Sequence, residues 1–457
     1  MKTTLVSSTI LAALLLAGCG SNNTSSYADK VVSTGEVLPY TVLRSDLQNG
    51  KQVGSTFEIR NGGFGSAATA HPSNINQFYA LTDRGPNATF TGVDGKGKKF
   101  PTPEYTPRIG LFELSSTGKI SLVKEILFKD TNNKNISGLP NSIALGGTGE
   151  VPYDAEGKSI KDANGNIAFD DFGLDAEGLA ALKDGTFWVS DEYGPHMVHF
   201  DATGKEIGRI NPFVNDTRTQ LNLPAEFSNR RPNRGMEGLT ITPDQKTLVG
   251  IMQSTMYNPS KAVKSLDITR IVTVNLETGK ISQYLYKQEK AANSNSEIVA
   301  LSADQFLVIE RDGKFLADDP NAQKHVYKID LRTGTDLEAM TITGDLVQDD
   351  NLGLTIAQKT LEEVVLADGN WNTLTSYQIT PVSKMLVVDM INKVSYAHDK
   401  MEGLWVINPT TLGVLNDDDF ATWSSSGVLE QKYLDDANTT VDASTLYVIQ
   451  GLDLSSK

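Results

Sequence analysis

Short runs of apolar and polar residues, separated by turn residues, make up most of the chain. Runs rich in β-branched and aromatic residues, such as 187–190 and 270–274, lie between the Gly, Asp and Asn residues that form hairpin turns. Long stretches with the periodicity of a helix are missing. The pattern therefore predicts a mostly β fold.

A repeated motif organises these strands. Four segments carry a glutamate in similar surroundings, at Glu177, Glu237, Glu297 and Glu402. The first three glutamates are 60 residues apart, whereas 105 residues separate the last two. Each glutamate is followed by a second strand ending in polar residues, and then by two further strands. A unit of four strands is the blade of a β-propeller.

The number of units is set by two less regular regions. A degenerate first unit has Asp83 and Arg84 after its second strand, but only Gly65 and Ser66 near the glutamate position. The long interval before Glu402 has room for a further unit near 361–377. We predict an all-β propeller of four-stranded blades, six being favoured and five or seven the alternatives. It forms a single domain over residues 35–457, and the strand near 55–60 is expected to pair with 445–449 to close the ring.

The N-terminal segment is predicted to direct export. Lys2 and an apolar run over 10–17 precede Cys19, and this run is shorter than the roughly 20 residues that span a bilayer. Leu-Ala-Gly-Cys at 16–19 resembles the lipobox of bacterial lipoproteins, which implies a signal peptide over 1–18 and lipidation of Cys19. A polar tether follows to about residue 34. The alternative is an ordinary signal peptide with an incidental cysteine.

The location that follows is the cell envelope, with the lipid anchor as the only membrane contact. The outer membrane is favoured because Gly20 and Ser21, and no aspartate, follow the cysteine. Cys19 is the only cysteine of the chain, which excludes disulfides and thiolate metal sites from the mature domain. The formal net charge of −15 argues against binding to nucleic acid. The expected partners are neutral molecules, cations, or anions bridged by a metal ion. A small anionic molecule is favoured among them, and no oligomeric state is predicted.

The repeated glutamates suggest a metal site. The innermost strand of each blade lines the central channel, so repeated carboxylates converge there and raise one another's pKa unless a cation lies among them. Hard oxygen ligands suit Ca²⁺. The predicted metal ligands are Glu177, Glu237, Glu297, Glu402, Asp83 and Asp417. The alternative is that the glutamates hold the blades together by bonding backbone N–H groups or by pairing with arginines.

A histidine near the channel rim is the candidate general acid or base. His196 follows Asp191 and Glu192, and these three are the predicted catalytic residues. His199 is expected on the opposite face of the same strand, since side chains alternate. No Gly-x-Ser-x-Gly motif is present, so a serine hydrolase of that type has no support.

The motifs together resemble a known family over about residues 55–419. They are Tyr79-Ala-Leu-Thr-Asp-Arg-Gly-Pro-Asn87, Asp175-Ala-Glu-Gly-Leu179, Trp188-Val-Ser-Asp-Glu-Tyr-Gly-Pro195, Asn233-Arg-Gly-Met-Glu-Gly-Leu239, Val308-Ile-Glu-Arg-Asp312 and Lys400-Met-Glu-Gly-Leu404. The sequence is similar to the phytase-like family, described as "esterase-like activity of phytase". The resemblance implies metal-assisted hydrolysis of phosphate esters or related esters, with Ca²⁺ on the channel carboxylates. It also implies substrate contacts from Arg84, Arg234 and Arg311, whose guanidinium groups suit phosphate.

Two functions are therefore open. The first is an exported, lipid-anchored hydrolase of phosphate monoesters or related esters. The second is a non-catalytic propeller that binds a ligand or protein at the cell envelope, since a fold does not determine a function. Convergence of acidic groups and arginines at one channel mouth favours the hydrolase, and a channel plugged by Glu–Arg pairs favours the binder. The sequence departs from the motif at Glu297, where Ile-Val follows in place of Gly-Leu.

Overall fold

The structure is a computed structural model that describes residues 34–455, and it is mostly β as predicted. Cys19, the signal peptide and nearly all of the tether lie outside these residues. The strands are β1 Glu36–Val37, β2 Thr41–Arg44, β3 Ile59–Asn61, β4 Ala67–Ala70, β5 Gln77–Leu81, β6 Ala88–Gly92, β7 Gly95–Lys99, β8 Arg108–Leu114, β9 Ile120–Leu127, β10 Val151–Tyr153, β11 Ala176–Ala181, β12 Phe187–Asp191, β13 Met197–Phe200, β14 Glu206–Asn211, β15 Leu221–Asn222, β16 Met236–Ile241, β17 Thr247–Met252, β18 Ile268–Asn275, β19 Ile281–Lys287, β20 Ser294–Ala300, β21 Gln305–Arg311, β22 Lys324–Asp330, β23 Leu346–Asp349, β24 Gly353–Ile356, β25 Lys359–Thr360, β26 Ser383–Asp389, β27 Gly403–Asn408, β28 Thr411–Leu415, β29 Thr422–Ser425, β30 Val428–Gln431 and β31 Thr445–Gln450. The α-helices are α1 Leu361–Asp368, α2 Asn372–Ser376 and α3 Met390–Val394.

Five antiparallel meanders form the body of the protein. Sheet 1 has the strand order β4-β5-β8-β9, and sheet 2 has β11-β12-β13-β14 with β15 added in parallel. Sheet 3 is β16-β17-β18-β19, sheet 4 is β20-β21-β22-β26, and sheet 5 is β27-β28-β31-β1. Four smaller sheets remain among the described residues, namely β2-β3, β6-β7 with β10, β23-β24-β25 and β29-β30. Each repeated unit therefore begins with the first strand of a sheet.

The five sheets pack side by side around an axis. The first strand of each sheet lies against the first strand of the next, and β27 of sheet 5 lies against β4 of sheet 1. Apolar side chains fill every interface between neighbouring sheets. Between sheets 5 and 1, for example, the rings of Phe78 and Trp405 stack with centroids 4.6 Å apart. The arrangement is propeller-like, with the first strands nearest the axis.

The glycine of the repeated Glu-Gly-Leu motif allows the first strands to approach closely. A Cβ atom on Gly178 would lie 2.4 Å from the backbone nitrogen of Leu239 in the next sheet. A Cβ atom on Gly238 would lie 2.6 Å from the backbone nitrogen of Ile298 in the sheet after that. Part of the repeat is therefore a packing device, because only glycine fits where these backbones nearly touch.

The expected sixth unit near 361–377 is not a set of strands. This segment forms α1 and α2, which belong to an insertion between β22 and β26 of sheet 4. Helix α1 begins with a capping box, in which Thr360 and Glu363 bond each other's backbone. Its apolar residues pack against Ile268 and Leu285 of sheet 3. The prediction of strands there was wrong because a short apolar run with a strong N-terminal cap folds as a helix.

The predicted pairing of 55–60 with the C-terminal strand was also wrong. In the structure β31 pairs with β1, with Glu36 opposite Leu446 and Val37 opposite Thr445. Ile59–Asn61 pairs instead with Thr41–Arg44. An N-terminal strand does complete the last sheet, but an earlier one than expected.

No helix within residues 34–455 is long and apolar enough to cross a membrane.

Candidate active site

A cavity of about 310 Å³ opens at the end of the axis where the first strands begin. Its walls come from all five sheets and from two hairpins, β6–β7 and β29–β30. The predicted site residues that line it are Asp83, Arg84, Glu177, Glu192, Arg234, Glu237, Arg311 and Glu402. Residues separated by more than 300 positions in the chain therefore meet here, as the repeat predicts.

Local backbone geometry turns the repeated glutamates towards the cavity. The register of β11 against β12 shifts between Ala176 and Gly178, and that of β16 against β17 shifts between Met236 and Gly238. Glu177 and Glu237 are thus the extra residues of two β-bulges, which re-aim a side chain relative to the regular pleat. Glu402 reaches the same cavity from the position directly before β27.

Glu297 does not line the cavity because its bulge is displaced by one residue. In β20 the register shifts between Asn295 and Glu297, so Ser296 is the extra residue and Glu297 is paired opposite Ile309. Glu297 Oε1 accepts hydrogen bonds from the backbone N–H groups of Leu239, at 3.2 Å, and Ile298, at 2.9 Å. This glutamate joins neighbouring strands, which is the role that the alternative interpretation of the motif describes.

An aspartate that the sequence analysis did not select completes a group of three carboxylates. Asp83, Asp175 and Glu177 each offer an oxygen within 4.8 Å of the others, and all three are buried. Both carboxylate oxygens of Asp175 lack a hydrogen-bond partner within residues 34–455. The Nη2 atom of Arg84 is 2.7 Å from Asp175 Oδ2. The sequence did carry a sign of this role, because Asp175 lies two residues before Glu177 in the repeat.

Burial and repulsion between neighbours destabilise the charged forms of these carboxylates. Burial, followed by repulsion from Glu237 and Asp175, raises the pKa of Glu177 well above its ordinary value. Burial, followed by Asp417 and Asp175, raises the pKa of Asp83 in the same way. A cation among these oxygens would offset both effects, and oxygen ligands alone suit a hard divalent ion. The donor set therefore fits Ca²⁺.

A glutamine links two further glutamates of the cavity. Gln253 Nε2 donates to Glu192 Oε1 at 3.0 Å and to Glu237 Oε1 at 2.6 Å. Burial, with a further contribution from Glu402, raises the pKa of Glu237 to about 8, although Arg311 opposes the shift. Burial and repulsion from Glu237 also raise the pKa of Glu192. Both carboxyl groups of this pair therefore keep a proton more readily than an ordinary glutamate does.

Most of the cations around the cavity are neutralised by carboxylates. Besides Asp175, Arg84 pairs with Glu150 at 3.2 Å. Arg311 pairs with Glu402. Lys400, which also lines the cavity, lies 2.6 Å from Asp417 Oδ2. Asp417, a predicted metal ligand, does not line the cavity and instead pairs with Lys400 behind its wall.

Two cations of the cavity have no carboxylate partner among the described residues. The Nη1 atom of Arg234 donates to Ser294 Oγ at 3.2 Å and makes no ion pair. Lys98 of β7, which was not predicted from the sequence, also lines the cavity, and its side chain forms no hydrogen bond or ion pair within residues 34–455. Lys98 lies on the hairpin inserted after Asp83, and the repeat carries no signal for it.

The remaining predicted catalytic residues lie outside the cavity. Asp191 is fully buried, and its oxygens accept the backbone N–H groups of Asp175 at 2.8 Å and Gly194 at 2.9 Å. His196 is also fully buried, with Nε2 3.1 Å from the carbonyl oxygen of Leu145. Burial lowers the pKa of His196 well below its ordinary value. Asp191 thus fixes the backbone of Asp175. Neither Asp191 nor His196 lines the cavity.

Comparison with known proteins gives one curated relative. An "Uncharacterized secreted protein" of Arthroderma benhamiae is 29% identical to this chain, over 42% of the chain and 46% of the relative. The chain therefore spans about half the length of that protein.

Three solved structures are distant likenesses of this chain. Virginiamycin B lyase from Staphylococcus aureus is 9% identical, with a TM-score of 0.28 over 86% of this chain and 97% of the other. PhoX of Pseudomonas fluorescens, in complex with vanadate, is 9% identical, with a TM-score of 0.34 over 92% and 96% of the two chains. Aldose sugar dehydrogenase from Streptomyces coelicolor, in its PQQ-bound form, is 8% identical, with a TM-score of 0.31 over 92% and 99%. At these scores the likenesses carry no argument about the site.

The family comparison covers much more of the chain. The family model described as "Esterase-like activity of phytase" matches residues 59–420. This range contains all five first strands and every residue named above as lining the cavity, and it ends before the β29–β30 hairpin. This agrees with the resemblance noted from the motifs. The chain belongs to the phytase-like family.

Proposed function

We propose that the protein is a calcium-dependent hydrolase of phosphate monoesters or related esters, with the cavity as its active site. The observation that carries this proposal is the group formed by Asp83, Asp175 and Glu177. Their oxygens lie within 4.8 Å of one another, and Arg84, 2.7 Å from Asp175, is the one cation that forms an ion pair with this group within residues 34–455. Three buried carboxylates that share a single ion pair are costly unless a further cation binds them.

The chain's own residues would divide the work as follows. Asp83, Asp175 and Glu177 hold the ion, which when bound supplies positive charge to a phosphoryl oxygen and to the attacking water. Arg84 and Arg311 keep the carboxylates in place through their ion pairs. Glu192 and Glu237, fixed by Gln253, stand at the cavity wall where a proton can be given to the leaving oxygen or taken from water.

A non-catalytic binding protein is the second candidate. The ion pairs Arg84–Asp175 and Arg311–Glu402 occupy part of the channel mouth with side chains that neutralise each other. Such pairs are what a plugged channel would contain. The open volume of about 310 Å³ and the unpaired cations beside it favour the hydrolase.

The setting of the activity is part of the same proposal. We infer that residues 35–457 form a single propeller domain whose five sheets are its blades. Removal of 1–18 and lipidation of Cys19 would anchor this domain to the cell envelope, with the outer membrane favoured. The lipobox-like sequence at 16–19 supports the anchor.

The test is phosphate release by a matched pair of variants. Asp175→Asn keeps the shape of the side chain and removes its charge, and we expect at least a hundredfold loss of calcium-dependent hydrolysis of phosphate monoesters, because one of three ion ligands is weakened. Asp184→Asn is the control, since Asp184 lies in the exposed turn at the other end of the β11–β12 hairpin. Equal rates for the two variants, with both folded by circular dichroism, would contradict the proposal.

A further inference from the structure

The cations of the cavity fall into two groups. Arg84, Arg311 and Lys400 each form at least one ion pair with a carboxylate. Lys98 and Arg234 form none within residues 34–455, although both line the same cavity. A cation whose charge is already matched by a carboxylate has little attraction left for a further anion, whereas an unmatched one retains it.

The pKa shifts of the paired and the unpaired cations also differ. Although burial opposes it, the carboxylates around Arg84 raise its pKa well above the ordinary value, and those around Lys400 do the same for the lysine. Burial and the nearby charge of Arg84 lower the pKa of Lys98. Burial and the nearby charge of Arg231 lower the pKa of Arg234. The charged forms of Lys98 and Arg234 therefore lack compensation, which a bound anion would provide.

The two unpaired cations approach the cavity from different directions. Lys98 comes from the β6–β7 hairpin that follows sheet 1, and the charges acting on it include those of Asp175 and Asp419. Arg234 comes from the connection before β16, and the charges acting on it include those of Glu192 and Arg311. An anionic group held between Lys98 and Arg234 would therefore interact electrostatically with Asp175 on the side of Lys98.

We propose that Lys98 and Arg234 form the subsite for the anionic group of the substrate, and that this group is a tetrahedral dianion such as a phosphoryl group. Arg84 and Arg311, two of the three arginines that the family resemblance implies as substrate contacts, are instead positioning residues for the carboxylates. The proposal deepens the proposed function and rests on it for the identity of the substrate. An uncharged carboxylic ester would leave both cations unmatched.

The β29–β30 hairpin closes this side of the cavity. Trp423 and Ser424 line the cavity, and Ser424 Oγ donates to the carbonyl oxygen of Thr89 on β6 at 3.2 Å. The two hairpins thus support each other, and β7 with its Lys98 is held at the cavity edge. This contact fixes the backbone that carries the lysine without neutralising its charge.

The experiment is a calorimetric titration of inorganic phosphate into the purified chain, with calcium present and phosphate kept below the point at which its calcium salt precipitates. We expect Lys98→Gln and Arg234→Gln each to weaken binding by about tenfold or more, since hydrogen bonds to charged groups contribute on that scale. Lys98→Arg should retain most of the affinity. Lys96→Gln is the matched control, because Lys96 lies on the same strand, is exposed and does not line the cavity.

The outcomes separate this proposal from the proposed function. Wild-type affinity for phosphate in folded Lys98→Gln and Arg234→Gln, or no phosphate binding by the wild type, would overturn the subsite. Loss of binding in both variants supports it, whether or not the wild type hydrolyses any ester. Calcium-dependent hydrolysis with an unchanged KM in both variants would leave the hydrolase in place and remove the subsite.

Discussion

Asp175 shows how opposing demands meet in one side chain of this protein. Its carboxylate is fully buried, lies beside Asp83 and Glu177, and is partly offset by Arg84 at 2.7 Å. Its backbone N–H is held by Asp191. A residue fixed at its backbone by Asp191, with its carboxylate already oriented by Arg84, is preorganised for an ion, because its ligand atoms need not move on binding.

A buried aspartate away from the cavity gives a prediction for acid stability. Burial alone would raise the pKa of Asp216, but hydrogen bonds from Arg218 and Asn211 outweigh it and lower the pKa from 3.8 to about 2. A lowered pKa means that the ionised form stabilises the folded state above the ordinary pKa, and that this contribution is lost as the pH falls towards 2. We expect Asp216→Asn to lower the free energy of unfolding by about 1 to 3 kcal/mol near neutral pH.

The measurement is urea denaturation of both proteins at a series of pH values. The difference between wild type and variant should shrink between the ordinary pKa of 3.8 and a pH of about 2. A difference that stays constant over this interval would show that the charge of Asp216 is not what stabilises the fold.

At the level of elements, the first strands do two jobs at once. Their glycines let neighbouring backbones approach, and their bulges turn glutamates into the cavity. The two features occupy adjacent positions, as in Glu237 and Gly238. The spacing of the strands around the axis and the geometry of the site are therefore set by the same short motif.

Adding a methyl group to one of these glycines should disturb the contact between sheets 3 and 4. A Cβ atom on Gly238 would lie 2.6 Å from Ile298 N and 2.8 Å from Glu297 Cα, both of them backbone atoms. We expect Gly238→Ala to lower the free energy of unfolding by about 1 to 3 kcal/mol, the usual range for overpacking. Gly313→Ala is the control, since nothing lies within 4 Å of its Cβ position. Equal stabilities in chemical denaturation would refute the packing role.

The same elements show what the sequence could predict. Four-stranded units, the inward-facing Glu177, Glu237 and Glu402, and the family followed from the repeat. The displaced bulge of β20 could not be predicted from glutamate spacing, because a shift of one residue leaves that spacing at 60 and exchanges the positions of Ser296 and Glu297. The Ile-Val after Glu297 was the one local sign of it.

Residues supplied by insertions were beyond the reach of the repeat. Lys98 and Trp423 lie on hairpins added to two of the units, and their position at the cavity depends on how those hairpins pack. The prediction of strands near 361–377 was wrong for a related reason. Its cap and its contacts with sheet 3, and not its apolar composition, decide its structure.

At the scale of the whole molecule, five sheets bring distant parts of the chain to one end of a common axis. Several buried carboxylates meet there, and burial together with their mutual repulsion raises the pKa values of Glu177 and Asp83. A cation bound at the cavity would offset this destabilisation of the charged carboxylates. We therefore infer that calcium at this site supports ester hydrolysis.

The measurement that tests this claim most directly is the release of inorganic phosphate from a panel of phosphate monoesters by the purified wild-type chain, with calcium and then with excess chelator. We expect turnover that requires calcium, stops on chelation and returns when calcium is restored. Absence of phosphate release under every condition, together with a melting temperature that calcium leaves unchanged, would contradict it and leave the binding protein as the better description.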